Sequence, residues 1–140
     1  MTEALKKCYP IHKRDFVHAG EAAINVKNLL KSMGVNEAVV RKVAICGYEG
    51  EMNVVMHGGD GQLCLEIDVD KIIIVISDNG PGINNIDLAM TRGFSTATEE
   101  YREMGFGAGM GLPNMRKNTD KLEITSGPEE GTRVVITNFI

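Results

Sequence analysis

A carboxylate stands at the end of an apolar strand in the segment IIIVISDNGPGI, residues 72–83. An ionised Asp78 can only accept hydrogen bonds, so at a partly buried strand end it must find donors, and the exocyclic amine of a bound base is one. Gly80 and Gly82 carry no Cβ, which lets a flat ring lie close to the backbone. The segment DNGPG, residues 78–82, is also typical of an ordinary reverse turn. The segment therefore predicts either a base-binding strand end or a turn without a ligand.

A second cluster, GFGAGMGL at residues 105–112, contains four alternating glycines. A helical pattern follows it directly, so the backbone N–H groups of the loop and of the helix N-terminus could cradle a phosphate. The cluster is not a Walker A loop, because no Gly-Lys-Ser/Thr follows, and no βαβ unit surrounds it as a dinucleotide site requires. A flexible hinge is the alternative interpretation.

The third cluster, YEGEMNVVMHG, pairs a carboxylate with an amide on one helix face, because Glu49 and Asn53 are four residues apart. A glutamate can act as a general base, and an amide oxygen is a hard ligand suited to Mg²⁺. Glu51 points elsewhere on the helix, so the two acids are not equivalent. A solvated helix face is the alternative interpretation.

The periodicity of the chain predicts the elements that must position these residues. Apolar residues at helical spacing run from an N-cap at Asp15 to Gly34. A second helix starts from an N-cap at Asn36, carries the carboxylate–amide pair and ends at the glycines after His57. The other predicted elements are a strand at 5–12, strands at 62–69 and 71–77, a short helix at 83–93, a mobile loop at 93–109, a helix at 110–120, and strands at 121–127 and 131–140.

This order predicts the α+β class, as a two-layer α/β sandwich with a mainly antiparallel sheet and helices on one face. No Pro/Ser-rich linker interrupts the 140 residues, so we expect one domain over residues 1–140.

Composition limits the function classes. The net charge of −4 argues against a broad nucleic-acid or anionic-membrane surface. Cys8, Cys46 and Cys64 have no metal-site or CxxC spacing, so we expect them to be small apolar residues in a reducing compartment rather than disulfide partners. With no leader and no long apolar span, the cytoplasm is the expected location.

Taken together and in this order, the three clusters resemble the GHKL superfamily of ATP-binding proteins: gyrase, heat-shock ninety, histidine kinase and mismatch-repair ATPases. That family carries a Glu…Asn helix box, a D-x-G-x-G box, a G-x-G-x-G-L box and a late Gly-Thr. The matching residues here are Glu49 and Asn53; Asp78, Gly80 and Gly82; Gly107, Gly109, Gly111 and Leu112; and Gly131 with Thr132.

The resemblance implies a role for each matched residue. Asp78 would accept a hydrogen bond from the adenine amino group, Asn53 would ligate Mg²⁺ bridging the phosphates, and Glu49 would be the catalytic base. Residues 93–109 would form the ATP lid. The remaining ATP-binding residues that the resemblance implies are Gly80, Gly82, Ile83, Gly107, Gly109, Gly111, Leu112 and Thr132, with Arg102 as a lid candidate near the γ-phosphate.

Within the superfamily the chain looks like the stand-alone bacterial anti-sigma factor serine/threonine kinases, and the stretches KSMG, DNGPGI, GFST and GAGMGLP resemble their stress-signalling switch-kinase branch. We expect clamp ATPases to continue into a transducer domain, and histidine kinases to carry an acceptor histidine on a helical hairpin. The resemblance implies an ATP- and Mg²⁺-dependent kinase of a small cytoplasmic STAS-type regulator, without nucleic-acid or membrane partners. A sigma factor or phosphatase is a further candidate partner, and a homodimer is left open.

The sequence is also compatible with two other functions. One is a nucleotide-gated binding module with little or no transfer, and the other is a detached histidine-kinase catalytic domain. Glu49 favours the kinase, because a pure binder needs no carboxylate at that position.

Overall fold

The computed structural model describes residues 5–57, 59–80, 111–127 and 131–140. The predicted helix at 83–93 and lid at 93–109 lie outside these ranges. The described elements, in chain order, are β1 (Leu5–Ile11), α1 (Glu21–Ser32), α2 (Glu37–His57), β2 (Gly61–Ile67), β3 (Lys71–Asp78), α3 (Gly111–Lys117), β4 (Lys121–Gly127) and β5 (Gly131–Phe139).

The five strands form one sheet in the order β1-β2-β3-β5-β4, and each neighbouring pair is antiparallel. The predicted α+β class is therefore confirmed. β3 lies at the centre of the sheet, and its end carries Asp78. Pro10 lies on the edge strand β1, where its missing N–H costs no inner ladder bond.

Alternation along the strands places one face of the sheet against the helices. Ile72, Ile74 and Ile76 of β3 are at most 2% exposed, whereas Ile73 and Val75 on the opposite face are only half-buried. The buried side chains join those of α1, α2 and α3 in one hydrophobic core. This gives the two layers that the sequence predicts.

The predicted start of α1 at Asp15 is wrong, because the helix begins at Glu21. Asp15 instead holds a local turn, in which its carboxylate accepts from the His18 backbone N–H at 3.3 Å and lies 3.0 Å from His18 Nδ1. Gly20, at φ 97°, then turns the chain into the helix. The predicted end at Gly34 (φ 77°) and the Asn36 N-cap are confirmed, since Asn36 Oδ1 accepts from the Ala38 N–H at 2.8 Å.

The N-terminus of α1 is capped by a carboxylate from another helix. Glu51 of α2 is 3% exposed. Its Oε2 accepts from the backbone N–H groups of Gly20 (3.0 Å) and Ala22 (3.3 Å), and its Oε1 accepts from that of Ala23 (3.0 Å). Three otherwise unpaired donors at the helix start are thereby satisfied by a negative charge, which the helix dipole also favours.

The prediction that all cysteines are reduced is wrong for one pair. Cys8 of β1 and Cys64 of β2 are joined by a disulfide, with their Cα atoms 4.0 Å apart. The register sets these residues directly opposite each other, on the sheet face away from the helices. Cys46 does match the prediction, because it is a free and buried thiol. Burial, with a smaller contribution from the charge of Glu49, raises the pKa of Cys46 to about 12, so it is not a reactive thiolate at neutral pH.

The described helices include none with the length and apolarity needed to cross a membrane.

Candidate functional site

Asp78 lies where the central strand leaves the sheet, between two neighbouring strands. It is paired in register with Gly61 of β2 on one side and with Thr132 of β5 on the other. The structure therefore brings together two of the predicted ATP-binding residues, Asp78 and Thr132, although they are far apart in sequence. The Thr132 hydroxyl lies 3.1 Å from the Ser126 hydroxyl of β4.

The Asp78 carboxylate is half-buried and partly satisfied by backbone donors. Its Oδ1 accepts from the Gly80 N–H at 2.8 Å and from the Gly59 N–H at 3.4 Å. Both bonds involve the same oxygen, so no described residue donates to Oδ2. The first glycine after the strand thus binds the carboxylate through its backbone, a role that the sequence did not reveal.

Glycines from two other segments close around this strand end because side chains would not fit there. A Cβ on Gly131 would overlap the Asp78 carbonyl oxygen, and one on Gly61 would overlap the Ser77 carbonyl oxygen. A Cβ on Gly59 would overlap Asn79 and lie 2.9 Å from the Gly80 nitrogen. Gly61 and Gly59 were not among the predicted site residues. Only Gly131, through its Gly-Thr motif, was matched from sequence.

Gly131 provides a test of how tightly this strand end is packed. Gly131 (φ 75°) and Gly34 (φ 77°) share a left-handed backbone, but a Cβ on Gly34 would meet nothing within 4 Å. We expect Gly34→Ala to lower the free energy of unfolding by about 1–2 kcal/mol, the cost of the backbone conformation alone. Gly131→Ala should add overpacking and cost about 2–5 kcal/mol. Urea denaturation of both variants measures the difference, and equal losses would show that Asp78 is not tightly enclosed.

The second part of the site lies on α2, where Glu49 and Asn53 are separated by one helical turn and are both half-buried. The helix approaches the central strand very closely beside them. A Cβ on Gly50 would overlap the Ile76 side chain, so this glycine lets α2 lie directly on β3. The close approach of Gly50 to Ile76 therefore links the residue after Glu49 with the residue two positions before Asp78.

Glu49 has an asparagine partner that the sequence did not identify. Asn114, in the first turns of α3, donates its Nδ2–H to Glu49 Oε1 at 3.3 Å. Burial raises the pKa of Glu49, and the hydrogen bond from Asn114 lowers it by a smaller amount. A carboxylate with a raised pKa, held by one neutral donor, has the environment of a general base. The only sequence signal for Asn114 is its position just after Pro113 at the helix start.

The two opposing effects on the Glu49 pKa can be separated by removing the hydrogen bond. We expect Asn114→Ala to raise the Glu49 pKa further, because desolvation then acts without the donor that favours the carboxylate. The titration of ¹³C-labelled glutamate side chains by NMR measures this pKa directly. Arg116→Ala, an exposed change on the same helix, is the matched control. A Glu49 pKa that falls in Asn114→Ala would contradict the assignment of the hydrogen bond.

The other predicted site residues are only partly covered by the described ranges. Gly111 is the first residue of α3 and Leu112 the second. No described residue hydrogen-bonds to the Asn53 side chain, which is half-buried. The predicted residues Gly82, Ile83, Arg102, Gly107 and Gly109 lie outside the described ranges.

Among the described residues, no group of three or more His, Cys, Asp or Glu side chains forms a metal site. A divalent cation held through Asn53 would therefore need most of its ligands from elsewhere, such as phosphate oxygens and water.

Comparison with known proteins identifies the family. The profile of the histidine kinase-, DNA gyrase B-, and HSP90-like ATPase family matches residues 48–139, more than half of the chain. The chain belongs to this ATPase family. The match begins one residue before Glu49 and ends in β5, so it includes the α2 pair, the Asp78 strand end and Thr132. ATP use is the common property of such a domain.

Two curated relatives are similar over most of this chain. An anti-sigma F factor of Thermoanaerobacter sp. (strain X514) is 37% identical over 106 residues, which cover 76% of this chain and 66% of that protein. The serine/threonine-protein kinase RsbT of Bacillus subtilis (strain 168) is 29% identical over 112 residues, covering 77% of this chain and 78% of that protein. The aligned region thus spans slightly less than two thirds of the anti-sigma F factor.

A solved structure supports the fold. The mycobacterial sensor histidine kinase MprB superposes with a TM-score of 0.56 at 14% identity, and the superposition covers 96% of this chain and 97% of the other. At this identity the likeness concerns the fold alone.

Proposed function

We propose that this chain is an ATP- and Mg²⁺-dependent serine/threonine protein kinase that acts in partner-switching regulation. The observation that carries the proposal is the environment of Glu49: a half-buried carboxylate with a raised pKa, held by Asn114, one turn from Asn53 on α2. Membership of the ATPase family supports nucleotide use, and the names of the two curated relatives support this branch of it.

In the proposed reaction, the hydroxyl oxygen of a substrate serine or threonine attacks the γ-phosphorus of ATP. The bond from that phosphorus to the β,γ-bridging oxygen breaks, and ADP leaves with the electron pair. Glu49 accepts the hydroxyl proton and later releases it to water. A carboxylate suits this role only when ionised, and a raised pKa makes it a stronger base at neutral pH than an exposed glutamate. Phosphoryl transfer otherwise depends on positioning and charge stabilisation, so few catalytic side chains are expected.

For the nucleotide, we propose that the adenine amino group donates to Asp78, whose Oδ2 receives no donor from the described residues. Thr132 would complete the adenine contacts, consistent with its position opposite Asp78 in the sheet. Gly80 would keep the backbone close to the ring. The G-x-G-x-G-L box, which ends in Gly111 and Leu112, would hold the phosphates. ATP-binding roles stay predictions for the remaining residues, which are Gly82, Ile83, Gly107, Gly109 and Arg102.

Asn53 is the protein residue that we propose to hold Mg²⁺. Its amide fits because it is half-buried, has no hydrogen-bond partner among the described residues and shares a helix face with Glu49. When bound, Mg²⁺ would neutralise phosphate charge.

The magnesium assignment predicts a binding defect that does not depend on turnover. We expect Asn53→Ala to lose most of the gain in ATP affinity that magnesium confers, because the cation then lacks its protein oxygen. Calorimetric ATP titrations with magnesium and with EDTA measure that gain. Asn25→Ala, an exposed asparagine on α1, is the matched control. An unchanged magnesium effect in Asn53→Ala would remove Asn53 from the proposed site.

We propose that the substrate is a small STAS-type regulatory protein in the cytoplasm, as in the kinases that the chain resembles. Incubation of the chain with γ-labelled ATP, Mg²⁺ and a lysate of its source organism, followed by mapping of the labelled protein, tests this. Label on a serine or threonine of such a protein supports the kinase. ATP binding without label on any protein would instead favour a nucleotide-gated binding module, and label on a histidine would favour a detached histidine-kinase domain. A sigma factor, a phosphatase and a homodimer stay candidate partners.

A further inference from the structure

A groove of about 450 Å³ lies between α1 and α2 and reaches Glu49. Lys27 and Lys31 line it from α1, and residues of α2 between Glu37 and Glu49 line it from the other side. We call it the α1–α2 groove. The roles proposed above for the nucleotide and magnesium do not use it.

The groove runs along the helix toward the proposed base. Arg41, Ile45 and Glu49 are spaced by four residues, so they form one row on α2, and all three line the groove. At 1.5 Å per residue, Arg41 lies about 12 Å along the helix from Glu49. A chain segment lying in the groove would therefore pass directly to the carboxylate that the proposed function assigns as base.

The charge in the groove differs from that of the chain as a whole. Lys27, Lys31 and Arg41 are exposed, and no carboxylate of the described residues lies within ion-pair distance of any of them. Lys31 lies in the last turn of α1, where the helix dipole favours a cation, but Lys27 and Arg41 have no such role. Glu37 and Glu49 also line the groove, so three cations and two carboxylates leave it a formal charge of +1, which on a chain of net charge −4 favours an anionic occupant.

The floor of the groove is apolar. Ala44 and Ile45 are half-buried, and Tyr48 is 42% exposed, with its ring 3.6 Å from the position that a Cβ on Gly20 would take. A small anion would not need these side chains, whereas a peptide segment with apolar and acidic residues would contact both the floor and the cations.

We propose that the α1–α2 groove docks an acidic segment of the substrate protein and thereby presents its acceptor hydroxyl to Glu49. The inference rests on the proposed kinase function and names the chemistry of its substrate. Apolar side chains of the segment contact Ile45 and Tyr48, and its carboxylates pair with Lys27, Lys31 and Arg41. From the 12 Å spacing, the carboxylate that pairs with Arg41 lies about four extended residues from the acceptor.

Binding and transfer by synthetic peptides test this docking separately from catalysis. The probes are fluorescent serine peptides of equal length and equal apolar content, in which the polar positions are all glutamate, all glutamine or all lysine. Anisotropy measures their affinity for the native chain and for Arg41→Glu, Lys27→Glu and Lys42→Glu. Lys42 is the matched control, because it is an exposed cation of α2, next to Arg41 in sequence, that does not line the groove.

We expect the glutamate peptide to bind best and the lysine peptide worst. Arg41→Glu and Lys27→Glu should each weaken binding of the glutamate peptide by about tenfold, and Lys42→Glu by less than about twofold. Equal affinity for the three peptides would overturn the proposal, as would an equal effect of Lys42→Glu and Arg41→Glu. Lys27 lies on α1 and Arg41 on α2, so a local folding defect in one variant would not explain a loss of binding in both. Thermal unfolding of each variant detects such a defect.

Phosphate transfer to the same peptides distinguishes this proposal from the kinase assignment. Transfer that does not change in Arg41→Glu and Lys27→Glu would leave the kinase standing and overturn the groove as its docking surface. Charge-dependent binding without any transfer would support the groove and count against the kinase. The groove could instead hold a second copy of this chain. In that case Arg41→Glu and Lys27→Glu would change the sedimentation of the chain but not its affinity for the peptides, and this result would also overturn the proposal.

Discussion

Glu49→Gln is expected to bind ATP as the native chain does and to lose phosphate transfer by a factor of about 10²–10⁴. The substitution keeps the shape of the side chain and an oxygen that can accept from Asn114, so the local structure should persist. It removes the basicity that would activate the substrate hydroxyl. Calorimetry of ATP binding, paired with a transfer assay on the labelled partner, measures both effects.

The stability of Glu49→Gln provides an internal check on this result. Burial raises the pKa of Glu49 in the folded chain above its unfolded value, so ionising it is more costly in the folded state. The free energy of unfolding contributed by this group therefore falls as pH rises from the unfolded pKa to the raised folded pKa. At neutral pH we expect Glu49→Gln to be no less stable than the native chain, because glutamine carries no charge to desolvate.

Glu51→Gln is the contrasting control on the same helix. Its carboxylate accepts three backbone hydrogen bonds at the start of α1, and an amide in its place turns one NH₂ group toward backbone donors. We expect a loss of about 1–3 kcal/mol in the free energy of unfolding. Any loss of phosphate transfer in Glu51→Gln should follow the loss of folded protein.

Full phosphate transfer by Glu49→Gln would refute the catalytic role of Glu49 and leave the nucleotide site as a switch.

Asp78→Asn is expected to weaken ATP binding by about tenfold to a hundredfold. The Gly80 N–H holds Oδ1 at 2.8 Å, and an asparagine keeps that bond only with its oxygen in the Oδ1 position. The Nδ2 group then replaces Oδ2 and points a donor at the adenine amine, which is itself a donor. The strand end should keep its structure, so the loss belongs to recognition and not to folding.

Nucleotide specificity distinguishes this explanation from general damage. The native chain should prefer ATP to GTP, because guanine presents a carbonyl oxygen where adenine presents its amine. Asp78→Asn should lose much of that preference, since its NH₂ group can donate to the guanine carbonyl. Competition titrations of ATP and GTP on both proteins measure the ratio. An Asp78→Asn chain with native ATP affinity and native preference would show that adenine does not contact this carboxylate.

Local patterns in the sequence predicted the described elements, apart from the start of α1. The β-branched run KIIIVIS at residues 71–77 predicted a strand through residue type, and the spacing of Val26 and Leu30 predicted a helix through the helical period. The alternating burial along the strand, with Ile72, Ile74 and Ile76 facing the core, was seen only in the structure. Gly34 and Asn36 marked a helix end and a helix start correctly, since their conformational preferences act within a few residues. The predicted helix start at Asp15 was wrong, because its carboxylate binds His18, three residues away, in a turn that precedes the helix.

The sequence by itself determined the α+β class and the order of the described elements, because these depend on local spacing and residue type. The resemblance to the family added the predicted site residues Glu49, Asn53, Asp78 and Thr132. Only the tertiary structure decided which residues meet. Glu51 and Gly20 are 31 residues apart, Cys8 and Cys64 are 56 apart, and Asn114 and Glu49 are 65 apart. No local period links such partners, because their contact follows from strand register and from the close packing of α2 on β3. For the same reason, the sequence did not predict the enclosure of Asp78 by Gly61 and Gly131, because that enclosure depends on three strands lying side by side.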